Sequence, residues 1–472
     1  MKPERIEELL RSRPSDERTY DRQLPDLIMH SAPVREPVRA GGSRPLGFAA
    51  AVMGIGLVIV VGATTLGLWR QGQTSSEPSG STPAPSAGTT RAYFTGSMKE
   101  ARRDASATLL KDGRVLIVGG IHSGDPGGGG VLKSAELYDP ATGTFTLTGS
   151  MKVARYDAAI TTLADGRVLV VGGNDVVTDD VPSAELYDPA TGQFTATTST
   201  VSPHESGTNI SSTLLRDGRV LILGCGSSSA CSGGQWSADL YDPSTGQFTA
   251  VGPLPDMFLY WTATLLNDGR VLVAGGTLSD ASVAGASVPV AGGIGSAPVV
   301  PVPSLIFDPA TDTFAATGSM AGQFSLHTAT LLPNGRVLLI EGYPIPEGVA
   351  LRGELYDPVT GKFTPTADVG ITRLLPTATL LANGKVLLAG GAAIGTSSLD
   401  ARTVLLYDPS TGEFNPGGST LVPRREHTAT LLSDGRVLLA GGIDGGVSRG
   451  TDGVTTGDWP TTSAEIYDPT AP

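Results

Sequence analysis

The sequence predicts an all-β fold in which seven copies of a four-stranded unit close into a ring, on three observations. A Leu-rich run followed by Asp-Gly or Asn-Gly, a basic residue and Val-Leu recurs seven times. A second phrase, of the type Ser-Ala-Glu-Leu-Tyr-Asp-Pro, follows each copy. The chain also holds 63 glycines and 34 prolines against only 17% charged residues, which suits short strands joined by tight turns better than helices.

The elements follow in chain order. Residues 1–45 hold nine Lys or Arg and eight Asp or Glu, lack a core, and are expected to form a mostly disordered cytoplasmic tail. From Leu46 to Trp69 there is no charge for 24 residues, enough at helical rise to cross a hydrocarbon layer of roughly 30 Å. The run starts after 45 polar residues and exceeds the apolar stretch of about 7–15 residues in a cleaved signal, so an uncleaved signal anchor is expected. Arg35, Arg39 and Arg44 precede it and only Arg70 follows directly, which points to a cytoplasmic N-terminus and a single pass through the plasma membrane. Residues 70–90, rich in Ser, Thr, Pro and Gly, read as a stalk. The body, residues 91–472, is then extracytoplasmic.

Within that body the turn glycines are Gly113, Gly166, Gly218, Gly269, Gly335, Gly384 and Gly435, so the period is about 50 residues. One longer interval is explained by a Gly/Ala/Val/Pro insertion from Thr277 to about Pro303. Asp-Gly between apolar runs closes a tight hairpin because the turn requires positive φ. In Asp-Pro-Ala-Thr-Gly, proline presets the second turn position and glycine takes the left-handed one, closing a second hairpin. Each unit therefore supplies four antiparallel strands, and seven units predict a seven-bladed β-propeller.

With its double glycines (Gly119-Gly120, Gly172-Gly173, Gly275-Gly276, Gly390-Gly391, Gly441-Gly442) and downstream tyrosines (Tyr138, Tyr187, Tyr241, Tyr356, Tyr407, Tyr467), the unit resembles the kelch repeat of bacterial kelch proteins and of the galactose oxidase central domain. The resemblance covers residues 91–472. One departure is the fourth-strand tryptophan usual in that family, replaced here by Phe145, Phe194, Phe248, Phe314, Phe363 and Phe414. That substitution implies a change of core filling and not of fold. The last unit ends at Tyr467 without its fourth strand, while Ala92–Met98 repeats the fourth-strand phrase of Thr144–Met151. The N-terminal segment is therefore expected to complete the last blade, removing the open edges.

Antiparallel order puts the tight turns on one face and the variable loops on the other, among them Ile121–Lys133, Cys225–Trp236, Thr277–Pro303 and Ile443–Thr462. Binding is expected on the loop face. There Arg102, Arg155, Arg373 and Arg424 occupy one aligned position, three residues ahead of the one that holds His327 and His427. They suggest either a ring of cations around the channel mouth, suited to anions, or simply the way the repeat packs and caps its strand. Tyr260 and Trp261 are candidates to stack on a sugar at the same face, or else ordinary channel or core aromatics.

The formal charge of -13, concentrated in the body, argues against a nucleic-acid partner. The resemblance to galactose oxidase would imply a copper site of two histidines, two tyrosines and a cysteine linked to one of them. The body has only His122, His204, His327 and His427, two of them explained by the repeat, and Cys225 has a disulfide candidate in Cys231. No metal site, cofactor or catalytic residue is therefore expected. The leading expectation is a binding module for a protein or glycan ligand. The alternatives are a carbohydrate-active enzyme, epimerase- or oxidase-like, on anionic sugars, and a sensor relaying to the cytoplasmic tail. An enzyme would show a compact set of polar residues with perturbed acidities at the funnel.

Overall fold

The computed structural model describes residues 91–122, 130–174, 184–198, 200, 210–225, 236–254, 261–275, 302–321, 324, 326–342, 352–370, 373–393, 402–444 and 459–471. The expected tail, membrane helix and stalk lie outside these residues. Among the described residues no helix is long and apolar enough to cross a membrane.

The described residues form seven four-stranded antiparallel sheets, each a blade. Blade 1 runs through Ser106–Leu109, Val115–Val118, Ala135–Asp139 and Thr144–Leu147. Blades 2 to 6 repeat this order over 159–196, 211–253, 262–320, 328–365 and 377–419. Blade 7 takes Thr428–Leu431, Val437–Ala440 and Ala464–Tyr467 from the end of the chain, and its fourth strand, Ala92–Phe94, from the start. The pairing is Ala92 with Tyr467, Tyr93 with Ile466 and Phe94 with Glu465, as the sequence predicts. A fragment beginning at residue 99 should expose the outer edge of Ala464–Tyr467 and aggregate, which light scattering against a fragment beginning at residue 88 will detect.

The core lies between blades, because each sheet has two apolar faces to cover. Val115 and Ile117 of blade 1 pack on Leu438, Ala440 and Ile466 of blade 7, and Leu116 and Val118 pack on Val168 and Val170 of blade 2. The same arrangement repeats at all seven interfaces. Second strands, covered on both sides, are therefore continuous apolar runs. Phenylalanine fills the tryptophan position by lying against the aromatic ring across the third and fourth strands: Tyr138 and Phe145 have ring centroids 4.7 Å apart, four further blades repeat the Tyr–Phe pair, and blade 4 has Phe307 against Phe314. The tyrosine hydroxyl then reaches the preceding blade, as from Tyr138 to Thr95 Oγ1 at 2.9 Å and from Tyr187 to Thr148 Oγ1 at 2.9 Å.

The double glycine has a specific mechanical task. At the loop-face end the first two strands kink together, the glycines on one strand matched by a positive-φ residue on the other, such as Asp104 at 52° and Glu426 at 57°. The second glycine donates its N–H to the next blade: Gly120 to the Arg155 carbonyl at 3.0 Å, Gly391 to Arg424 at 2.7 Å and Gly442 to Arg102 at 2.8 Å. At the first glycine a side chain would collide with that neighbour, a Cβ on Gly119 lying 2.1 Å from the Arg155 carbonyl oxygen. In blades 1, 6 and 7 the kink therefore doubles as an inter-blade joint.

Candidate functional site at the axis

The four aligned arginines pack inside their own blades, as the second of the two sequence readings has it, and do not line the channel mouth as free cations. Arg102, Arg155, Arg373 and Arg424 are only 1–2% exposed. Arg102 donates to the Gly119 carbonyl at 2.7 Å and to Glu136 at 3.0 Å, Arg155 to Gly172 at 2.6 Å and to Glu185 at 3.1 Å, and Arg424 to Gly441 at 3.0 Å and to Glu465 at 2.7 Å. Arg373, whose blade has Leu405 in place of the glutamate, donates to the Gly390 carbonyl at 3.0 Å. The glutamates also accept backbone N–H groups from the segment entering the blade, Glu136 from Lys99 at 2.8 Å and Glu185 from Lys152 at 2.7 Å. The pair thus pins the blade-to-blade connection onto the third strand. The physical reason is the kink, which turns the arginine side chain into its own blade while its carbonyl faces the preceding one.

The two histidines also join neighbouring blades. His327 reaches Thr262 Oγ1 of blade 4 through Nε2 at 2.9 Å and the Phe324 carbonyl through Nδ1 at 3.1 Å. His427 reaches Thr377 Oγ1 of blade 6 at 3.2 Å. Burial, helped by the charge of Arg424, pushes the His427 imidazole down to about 3, so it is neutral at physiological pH. Trp261 is 7% exposed and packs with Leu215, Leu254 and Val271 in the core between blades 3 and 4. Tyr260, Cys231 and the side chain of Cys225 lie outside the described residues.

The charged residues that do meet at the axis are others. Two residues before the first strand, at the kink, the described residues are Glu426 in blade 7, Asp104 in blade 1, Asp157 in blade 2, Leu326 in blade 5 and Leu375 in blade 6, all with φ between 50° and 57°. A backbone relay joins the first three: Asp104 N donates to the Glu426 carbonyl at 3.1 Å, and Asp157 N to the Asp104 carbonyl at 3.0 Å. The Arg103 guanidinium bridges Asp104 Oδ2 at 2.9 Å and Glu426 Oε2 at 2.8 Å. Desolvation, with the charges of Asp157 and Glu426 beside it, pushes the Asp104 carboxyl up to about 8, against the opposing pull of Arg103 and Arg425. Desolvation and then Glu426 push Asp157 up to about 7. The position before the first strand therefore presents a charged arc over blades 7, 1 and 2, and half-buried leucines over blades 5 and 6.

Sequence reasoning passed over these three carboxylates because it followed the arginine column. The signal lay two columns further on, where three of seven repeats place an acid two residues before the first strand.

Comparison with protein-family models and with curated proteins returns no match. Architecture and blade order make this body a seven-bladed β-propeller. Among solved structures it is similar to a fungal alcohol oxidase of the AA5 family in complex with copper, with a TM-score of 0.57 and 17% identity over 81% of this chain and 77% of that one. The likeness is one of fold, that of the galactose-oxidase-like propellers. A copper centre does not fit the described residues, since His327 and His427 are spent on blade joints and no group of three or more His, Cys, Asp or Glu is arranged to hold a metal.

Proposed function

We propose that this chain is a membrane-anchored, extracytoplasmic propeller that binds a ligand, and specifically a glycan, at the loop-face mouth of its channel. The observation that carries this reading is the division of the axial ring into a charged arc (Arg103, Asp104, Asp157, Glu426) and an apolar arc (Leu326, Leu375). A sugar ring has the matching chemistry, hydroxyls at its edge and C–H groups on its face. The anchor rests on the uncharged run from Leu46 to Trp69.

The test is a glycan array and immobilised cell-wall and matrix polysaccharides probed with the fragment of residues 88–472. Binding should fall at least tenfold in both Arg103→Ala and Leu375→Ala. Glycan binding that survives both substitutions undiminished would place the ligand elsewhere, and capture of proteins alone would favour a protein partner.

A second reading, a carbohydrate-active enzyme of epimerase or oxidase type, is favoured by one specific observation. The carboxyls of Asp104 and Asp157 are compactly grouped and shifted into the range where acid–base groups work at neutral pH. Incubating the same fragment with the bound sugars and looking for an altered product by mass spectrometry and NMR separates the two readings.

A further inference from the structure

The charged arc sits where the ring is closed. Blade 7 is completed by the N-terminal strand, and blade 1 is the next sheet, so the group formed by Glu426, Arg103, Asp104 and Asp157 spans the seam and the joint beyond it. Two of the connections there are backbone hydrogen bonds between kink residues, Asp104 to Glu426 at 3.1 Å and Asp157 to Asp104 at 3.0 Å. One guanidinium, that of Arg103, holds carboxylates of two blades at 2.9 and 2.8 Å. Asp157 has no side-chain hydrogen bond within the described residues, although it lies close enough to Asp104, Glu426, Arg103 and Tyr156 to feel their charges. All three kink residues also keep a left-handed backbone that non-glycine residues adopt at a cost. Three carboxylates are thus held together by a strained backbone with two cations, Arg103 and Arg425, to balance them.

We propose that this group is a pH-controlled clasp on the ring, which holds the axial ends of blades 7, 1 and 2 together while it carries a proton and loosens that sector once the proton is lost. The proposal goes beyond ligand binding and does not depend on it. The groups that face the carboxylates are Arg103 and Tyr156 from blades 1 and 2, and Arg425 from blade 7, while the neutral His427 of blade 7 is turned to Thr377 of blade 6. Opening returns Asp104 and Asp157 to ordinary carboxyl acidity and so releases protons. The closed form is therefore favoured at low pH, and its advantage is lost as pH rises through about 7 to 8. His427 acts in the opposite sense, but only below its unfolded value near 6.5, because opening lets it take up a proton.

Hydrogen exchange read by mass spectrometry on residues 88–472 at pH 6.5 and 8.5, corrected for the intrinsic pH dependence of exchange, tests this in a window where His427 contributes little and in the opposite sense. Protection in peptides covering 103–109, 157–162 and 426–431 should fall about tenfold or more at the higher pH, while peptides over 326–331 and 375–380, at the leucine kinks, should not change. Asp157→Asn, with Asp104→Asn as a second variant, should reduce the pH response of the first group and leave the second group unaltered. A loss of protection shared equally by all blades, or an unchanged pH response in both variants, overturns the clasp whatever the ligand screen finds.

Discussion

An Arg155→Ala variant of the propeller is expected to lose about 3–5 kcal/mol of unfolding free energy, the range found when one partner of a buried ion pair is removed. Arg155 and Glu185 are both essentially excluded from solvent, with the guanidinium 3.1 Å from the carboxylate. Truncation leaves Glu185 as a buried negative charge whose remaining donors are the N–H groups of Lys152 at 2.7 Å and Val153 at 3.2 Å. It also frees the Gly172 carbonyl, to which Arg155 donates at 2.6 Å. Replacing both partners, as in Arg155→Met with Glu185→Leu, should recover only part of the loss, because the backbone groups that the pair satisfies are then orphaned together. Urea unfolding of the two variants measures this, and a loss under about 1 kcal/mol for Arg155→Ala would mean that the pair contributes little to joining the blades.

The second large effect is expected at a residue with no side chain. Gly119→Ala places a Cβ 2.1 Å from the Arg155 carbonyl oxygen on a backbone at φ 62°, so the hydrogen bond between blades 1 and 2 must break or the sheets must separate. The cost should be about 3 kcal/mol or more, combining left-handed strain with overpacking. Gly218→Ala is the control. It has a positive φ of 90° with nothing within 4 Å of the added atom, so only the conformational cost of about 1–2 kcal/mol applies. Thermal melts of the two variants side by side separate collision from strain, and equal losses would show that the joint tolerates displacement.

Legibility in the sequence differs between fold and site for a definable reason. The hairpins were readable because Asp-Gly and Asp-Pro-x-x-Gly are local devices whose φ requirements act over four or five residues. The closing strand was readable because Ala92–Met98 copies a phrase found elsewhere in the chain. The arginine column was visible too, but its direction was not, since a kink of two glycines against one left-handed residue turns Arg102 and Arg155 away from the mouth. The same kink carries Asp104, Asp157 and Glu426 to the axis, and no pairwise pattern links residues more than 250 positions apart.

Periodicity alone settles the number of blades, their four strands and the strand that closes them, because those depend on turn chemistry and on alternation within one repeat. Which side chains become buried braces, and which carboxylates meet across the seam, is decided only when the ring closes. Burial and the distance between charges belong to neighbouring blades, and a single repeat has no neighbour.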